Sequence, residues 1–426
     1  MKIKLKKGDK LEIVGPASIT LLEGNIDVLG STMRLRESIT IPLSRVAILT
    51  ALEDSTLEVS VGEEGELKII EKVPIPFDWR EKADDLLNMD KPLSVLILGD
   101  VNSGKSIFAN YLVNLSISKG FKTSLIDEDL GQSEISAPAT IGLAIYRRPV
   151  PALFKAHKRE EYFIGSTNPA DFMGKVLVGI STLFNKAMRY PSDVIIVNTD
   201  GWISGRAVEF KQNLIEIIRP NVIVAIERKR ELEPIIRPLE GQSWTEIVRL
   251  SALPVVRDRA PEERKVYREG MYRKYMQRAR VRTFDLNRVK LLNTYLGSSI
   301  PLPPHERRRL EKIINRRIHW CGWYDKSLVM VLDSPLGREE ISDIKRVLQT
   351  EDVIYIRKGQ ERGLIVGLLD SANTYLGMGV IDEIDFEKNA IKIVTTVDEN
   401  PSLVVVGLVK LNNDFREIGK VRFPPF

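Results

Sequence analysis

Cysteine occurs once in the 426 residues, at Cys321, and histidine three times, at His157, His305 and His319. One thiol cannot close an internal disulfide, which argues against a small cystine-stapled secreted scaffold and fits a reducing cytoplasm. It also excludes a cysteine-cluster zinc site. Three scattered histidines leave little material for a histidine metal centre or a Ser-His-Asp relay. No apolar run approaches the roughly 18–20 residues needed to cross a bilayer, so no membrane contact is expected. The start, Met1–Lys10, alternates apolar and charged residues without the apolar stretch of a signal peptide, and reads as a mature, soluble terminus.

Hydrophobic residues make up 43% of the chain and charged residues 28%, a balance that rules out disorder and indicates globular material. At roughly 100–200 residues per domain the length allows two or three domains. The formal charge of +5 is unevenly placed: Arg257–Lys290 holds 12 Lys/Arg against 5 Asp/Glu, a net of +7. A local basic surface of that kind attracts polyanions whatever the total.

Three units follow from the patterning. Residues 1–75 read as short strands with period-two alternation, including Lys2-Ile-Lys-Leu, Leu11-Glu-Ile-Val and Leu57-Glu-Val-Ser-Val, as in a small β-sandwich or barrel. The Pro-rich Val73-Pro-Ile-Pro-Phe closes this part as an extended connector. Residues 76–318 alternate buried strand and helix. Ser94-Val-Leu-Ile-Leu, Thr123-Ser-Leu-Ile-Asp, Asp193-Val-Ile-Ile-Val-Asn and Asn221-Val-Ile-Val-Ala-Ile are apolar runs suited to a parallel sheet covered on both faces, hence an α/β fold. Residues 319–426 return to β, with one helix over Glu339–Leu348. The expected class is α/β, a parallel-sheet core flanked by an N-terminal β-sandwich-like domain and a smaller C-terminal mixed β domain.

The segment Gly99, Asp100, Val101, Asn102, Ser103, Gly104, Lys105, Ser106 matches G-x-x-x-x-G-K-[ST] in full, between a buried strand and an amphipathic helix. Such a loop wraps a phosphate chain in successive backbone N–H groups, and its glycines allow close approach. Lys105 then places a charge on the β/γ oxygens. Ser106 offers a hydroxyl to Mg²⁺, and the helix that starts there points its positive end at the nucleotide, expected to be ATP.

The next strand closes on Asp127-Glu128-Asp129-Leu-Gly-Gln132. Ligands of open α/β sheets sit beyond the carboxyl ends of the strands, so these acids can face the phosphates. One could organise Mg²⁺ and another accept the proton of an attacking hydroxyl. In an extended strand Asp127 and Asp129 share a face and Glu128 points away.

Gly99–Ser106 followed by Asp127-Glu-Asp-Leu-Gly-Gln-Ser-Glu134 resembles the polynucleotide 5′-hydroxyl kinases related to the RNA kinase subunit of the eukaryotic cleavage and polyadenylation machinery. Tyr162-Phe-Ile-Gly-Ser-Thr-Asn-Pro169 resembles that family's Gly-Ser-Thr-x-Pro segment. Val197-Asn-Thr-Asp-Gly-Trp-Ile-Ser-Gly205 resembles its Asn-Thr-x-Gly-Trp-x-x-Gly motif, and Arg259 through Tyr275 its arginine-rich lid, here about 257–282. The cysteine-poor, compact form is most similar to archaeal members.

The resemblance implies a P-loop kinase that transfers the ATP γ-phosphate to the 5′-OH end of RNA, and of DNA as a further substrate, with RNA-processing partners. It implies Asp129 as the acid that activates the hydroxyl and, with Ser106, holds Mg²⁺; the residues alone leave Asp127 as an alternative. It implies that Arg259 and Arg264 close over the triphosphate, while Arg278, Arg280 and Arg282 read as a solvated face. Trp202 would stack on the terminal nucleotide, or pack its own loop down. Thr167 and Gln132 would contact the substrate, a turn-stabilising role being open for Thr167. Asp200 stands where the family has a small or apolar residue, as a third carboxylate near the metal or as a solvent-facing group. Two other readings stay open: an ATP-occupied scaffold without transfer, and a P-loop enzyme acting on a small metabolite.

Overall fold

A computed structural model of the chain describes residues 1–41, 46–70, 77–153, 156–253 and 260–426. They form two compact units, Met1–Ile164 with Asn168–Arg268, and Gly165–Thr167 with Glu269–Phe426.

The first unit opens with two antiparallel sheets of four and five strands that share one core of Leu11, Ile13, Ile19, Leu21, Leu49 and Leu57. Lys10–Val14 and Ala17–Glu23 bury every second residue, the pattern of strands with one face inward. Part of the expected Pro-rich connector, residues 73–76, lies outside the described residues.

The rest of the first unit is a seven-stranded sheet. Its order is Lys158–Phe163, Thr140–Tyr146, Thr123–Asp127, Val194–Asn198, Leu93–Gly99, Val222–Glu227, Glu246–Ser251. The five strands from Thr123–Asp127 onward in that order are parallel. Leu93–Gly99 is buried at all seven positions, because helices cover both faces. Val95 and Ile97 pack with the helices Phe77–Asn88 and Lys105–Ser118, and Leu96 and Leu98 with Met173–Arg189 and Arg206–Ile218. The connections therefore leave Leu93–Gly99 and its neighbour Val194–Asn198 on opposite faces, which opens a crevice at their carboxyl ends. The other two strands are joined by antiparallel pairings, Thr140–Tyr146 running against its neighbours on both sides, an addition to the parallel sheet expected from sequence. Residues 128–139 carry no helix, and a parallel return needs a crossover of about a dozen residues or more.

In the second unit, Arg280–Asp285 and Lys290–Leu292 pair with Ala390–Thr395 and Leu403–Leu411 in a large mixed sheet. Sequence patterning grouped these two strands with the α/β part; their partners lie more than a hundred residues on, beyond what local alternation can register. A four-stranded sheet carries the helices Pro304–Ile314 and Arg338–Leu348, the latter matching the expected Glu339–Leu348.

One side chain joins the β domain to the phosphate-loop helix. Asn114, fully buried, donates through Nδ2 to the carbonyls of Leu29 (2.8 Å) and Val150 (2.9 Å) and accepts from the Val150 N–H (2.8 Å). Asn114→Leu leaves those buried groups unmatched, so the urea unfolding midpoint should drop by the equivalent of about 2 kcal/mol or more. An unchanged midpoint would show that the junction rests on other contacts.

Candidate active site at the phosphate-binding loop

The loop between Leu93–Gly99 and the helix Lys105–Ser118 is fixed from outside. Gly104 has φ +103°, and a Cβ there would lie 2.8 Å from Leu253 and from the Trp79 ring, so glycine is required. Trp79 is itself held by its indole N–H, which donates to the Ser251 carbonyl at 2.8 Å. The Asn102 carbonyl accepts from Arg228 Nη2 at 2.8 Å and the Ser103 carbonyl from the Leu253 N–H at 3.0 Å. With its carbonyls tied back, the loop is held in one shape. Lys105 is buried, and its ammonium donates to the carbonyls of Gly99 (2.9 Å) and Asp100 (2.7 Å). Burial lowers its pKa to about 8, against the raising pull of Asp200 and Asp129.

Asp127 ends its strand fully buried. It accepts from Asn198 Nδ2 (3.0 Å), Ser133 Oγ (2.8 Å) and the Glu134 N–H (3.1 Å). Asn198 Nδ2 also lies 3.3 Å from Ser106 Oγ, so one amide joins the acid to the loop hydroxyl. Burial first, and the charge of Asp129 second, raise Asp127 to about 6. The strand stops at Asp127, so Asp129 does not follow from strand alternation. Its Oδ1 accepts from the Gly131 (3.0 Å) and Gln132 (2.8 Å) N–H groups, a turn in which the side chain captures the backbone and ends the extended run. This is where Gln132 meets Asp129.

Glu128 does point away from Asp127, into an ion pair. Lys211 Nζ, on the helix Arg206–Ile218, lies 2.8 Å from both Glu128 oxygens and 2.9 Å from Asp200 Oδ1. Burial raises Glu128 to about 7, against the lowering pull of Lys211. Asp200, which sequence left as metal-facing or solvent-facing, is buried and paired with this lysine. Its Oδ1 also accepts the Trp202 N–H at 3.1 Å. Trp202 stacks on Phe210 with ring centroids 5.9 Å apart and planes at 28°, so loop packing is one of its roles. A Cβ on Gly201 would meet Val101 Cγ2 at 2.5 Å, so the Trp202 loop lies directly against the phosphate loop.

Arg264 lies on the helix Pro261–Tyr275, whose Tyr267 hydroxyl donates to the Ser133 carbonyl at 3.1 Å and ties the helix to the turn after Asp129. Arg259, its expected partner, lies outside the described residues, as does Arg257. Thr167 belongs to the second unit. Arg280 stays solvent-exposed in a surface ion pair, whereas Arg282 is half-buried and structural rather than simply solvated. Arg280 pairs with Asp398 at 2.5 Å, and Arg282 donates to the carbonyls of Val397 (3.0 Å) and Glu399 (2.7 Å).

Sequence reasoning gave no role to Asn198, Ser133, Tyr267 or Lys211. Lys211 carried a usable signal. It falls among Ala207, Phe210, Leu214, Ile215 and Ile218 on the buried stripe of its helix, where a lysine needs a buried counter-charge.

Residues 99–278 match a protein-family model described as mRNA cleavage and polyadenylation factor CLP1 P-loop. The chain is 30% identical over 348 residues to the polyribonucleotide 5′-hydroxyl-kinase of Pyrococcus horikoshii, a match spanning 81% of this chain and 93% of that protein. It is 31% identical to the protein of the same name from Pyrococcus furiosus, over 81% of this chain and 95% of that one. The chain belongs to the polyribonucleotide 5′-hydroxyl-kinase family. The solved structure titled as the wild-type Clp1p–Pcf11p complex matches with a TM-score of 0.65, covering 96% of this chain and 97% of that one. At 12% identity that likeness shows the fold.

Family membership brings ATP use with it, and the state of Lys105 makes a measurable claim about binding. A triphosphate beside the buried ammonium favours the charged form and raises its pKa above about 8. ATP binding at about pH 8.5–9 should therefore take up protons, with little uptake near pH 6.5 where the group is already charged. Calorimetry in buffers of different ionisation enthalpy reads this directly. Equal uptake in Lys105→Met would assign the proton elsewhere.

Proposed function

We infer that the chain is an ATP-dependent polynucleotide 5′-hydroxyl kinase acting on RNA, with DNA ends as a further substrate. The observation that carries this reading is the linked set Ser106–Asn198–Asp127 with Asp129 beside it, at the mouth of a phosphate-binding loop. The 5′-hydroxyl oxygen attacks the γ-phosphorus, its proton passes to Asp129, and the bond to the ADP oxygen breaks. Asp129 suits the base because the turn fixes its orientation through one oxygen. Lys105 meets the β/γ oxygens, and the N–H groups of residues 99–106 cradle the chain. Arg264, with Arg259, neutralises charge spreading over the transferring group, an effect of about 10³–10⁵ in rate for arginine fingers.

The donors present fit Mg²⁺. Ser103 Oγ and Asn198 Oδ1 are buried and lack a hydrogen-bond partner among the described residues, and Asn198 touches Ser106. Ser106 and Asp129 would hold the ion, which would supply charge neutralisation at the phosphates. Among the described residues no three acids or histidines converge on one point; Mg²⁺ ordinarily keeps several waters and is held by one or two carboxylates with substrate phosphates.

Trp202 provides a stacking platform for the terminal base, worth about 1–3 kcal/mol without sequence readout. Thr167 is assigned to the acceptor on motif resemblance alone. No helix among the described residues is long and apolar enough to cross a membrane. The single cysteine, buried at Cys321, supports a cytoplasmic setting, where an RNA-processing protein partner is a further expectation.

Lys105→Ala and Asp129→Ala should each cut transfer of labelled γ-phosphate to a 5′-OH oligoribonucleotide by about 10²–10⁴-fold or more. Full transfer by both variants would overturn the assignment. Trp202→Ala should raise the oligonucleotide KM about tenfold with the ATP KM unchanged. A rise confined to the ATP KM would remove Trp202 from the acceptor site.

A further inference from the structure

Two strand ends must hold their loops in fixed relation for in-line transfer: Thr123–Asp127, which leads to Asp129, and Val194–Asn198, which leads to Trp202. Backbone pairing joins the strands, with Asp127 opposite Asn198, and the Glu128 N–H donates to the Asn198 carbonyl at 2.9 Å. Beyond that point the ladder ends. A further link between the two loops is an ammonium group, Lys211 Nζ, bonded on one side to Glu128 and on the other to Asp200.

Lys211 acts on Trp202 by two routes. Asp200 Oδ1, held by the ammonium at 2.9 Å, is the acceptor of the Trp202 N–H. The neighbouring Phe210 ring carries the Trp202 ring and lies 5.0 Å from the ammonium. On the other side, Glu128 separates Asp127 from Asp129, so whatever fixes its side chain fixes the turn between the two acids. Lys211 and Glu128 have no side-chain exposure, which closes their contact to solvent, while Asp200 is 11% exposed.

We propose that Lys211 is a positioning residue for the 5′-hydroxyl acceptor, holding the Trp202 loop and the Asp129 turn in register through one buried ammonium. The proposal rests on the kinase reading above and assigns to that site a group outside its motifs. The two contacts are unequal in kind. The Glu128 contact is bidentate and closed from solvent, and neutralises a carboxylate that has no other cationic partner among the described residues. The Asp200 contact is single, and passes its constraint on to a backbone N–H. Loss of Lys211 therefore frees the acceptor loop while the phosphate loop, tied separately by Arg228 and Leu253, keeps its shape.

The test compares wild type with the double variant Glu128→Gln, Lys211→Met, which removes both charges of the closed pair while keeping unbranched side chains of closely similar size. The expected result is a fall of about 100-fold in kcat/KM for a 5′-OH oligoribonucleotide, the size of effect that a small misplacement produces. ATP affinity, measured with a fluorescent analogue, should stay within about threefold, since the ties of the phosphate loop to Arg228 and to the Leu253 N–H remain. Adding Trp202→Ala to the double variant should then cost much less than it does in wild type, because the two changes act through one loop. A merely structural lysine would give additive effects. Unchanged acceptor kinetics, a parallel loss of ATP affinity, or full additivity with Trp202→Ala would each overturn the proposal.

If the double variant does not fold, Asp200→Ala carries the same comparison, because it leaves the Lys211–Glu128 pair intact and removes only the link to Trp202. Wild-type protein with no transfer at all would count against the kinase reading itself, so the two failures are distinguishable.

Discussion

A charge taken out of water must be matched where it lies, and the crevice of this protein is organised by that requirement. Asp127, Glu128, Asp129 and Asp200 meet two ammonium groups, Lys105 and Lys211, at the carboxyl ends of neighbouring strands. Each is provided for differently. Asp127 is saturated by neutral donors, and Asp129 is turned onto backbone N–H groups. Glu128 and Asp200 share Lys211. Lys105 rests on loop carbonyls, a weaker arrangement for a cation than a carboxylate, and its lowered pKa reflects that.

The rest of the first unit holds this arrangement still. Leu93–Gly99 is apolar on both faces, so its carboxyl end is fixed by two helical layers rather than one. Gly104 and Gly201 admit close approaches that bring Trp79, Leu253 and Val101 against the loops. The β domain is bonded to the phosphate-loop helix at Asn114, so its core also bears on where that helix begins. Preorganisation of this kind lets a few donors act on developing charge without moving at the moment of transfer.

Much of the site was legible from the chain because phosphate binding uses backbone. A loop that must present successive N–H groups needs glycine at set positions, and that need is written locally in Gly99–Ser106. The four parallel strands at the centre of the sheet were visible for a similar reason, as unbroken apolar runs. The two antiparallel pairings join neighbouring strands and turn on the lack of a helix in residues 128–139, whereas the assignment of Arg280–Asp285 to the C-terminal sheet depends on a partner distant in sequence. Glu128 points away from Asp127 as alternation suggests, but its pairing, and that of Asp200, with Lys211 was not legible, because the cation between them comes from a helix more than ten residues past Asp200. A lysine on an apolar stripe was the trace it left. Asn198 was quoted within a motif, yet its link between Ser106 and Asp127 became visible only when the three strand ends were placed side by side.

The central claim is geometric: a terminal sugar hydroxyl reaches the outermost phosphorus of a cradled triphosphate with Asp129 alongside. A crystal structure with a nonhydrolysable ATP analogue and a 5′-OH diribonucleotide measures it most directly. The account predicts the Asp129 carboxylate within about 3 Å of the 5′ oxygen, and that oxygen in line with the γ-phosphorus and its leaving oxygen. An acceptor end bound remote from Asp129, or a triphosphate seated away from residues 99–106, would contradict it.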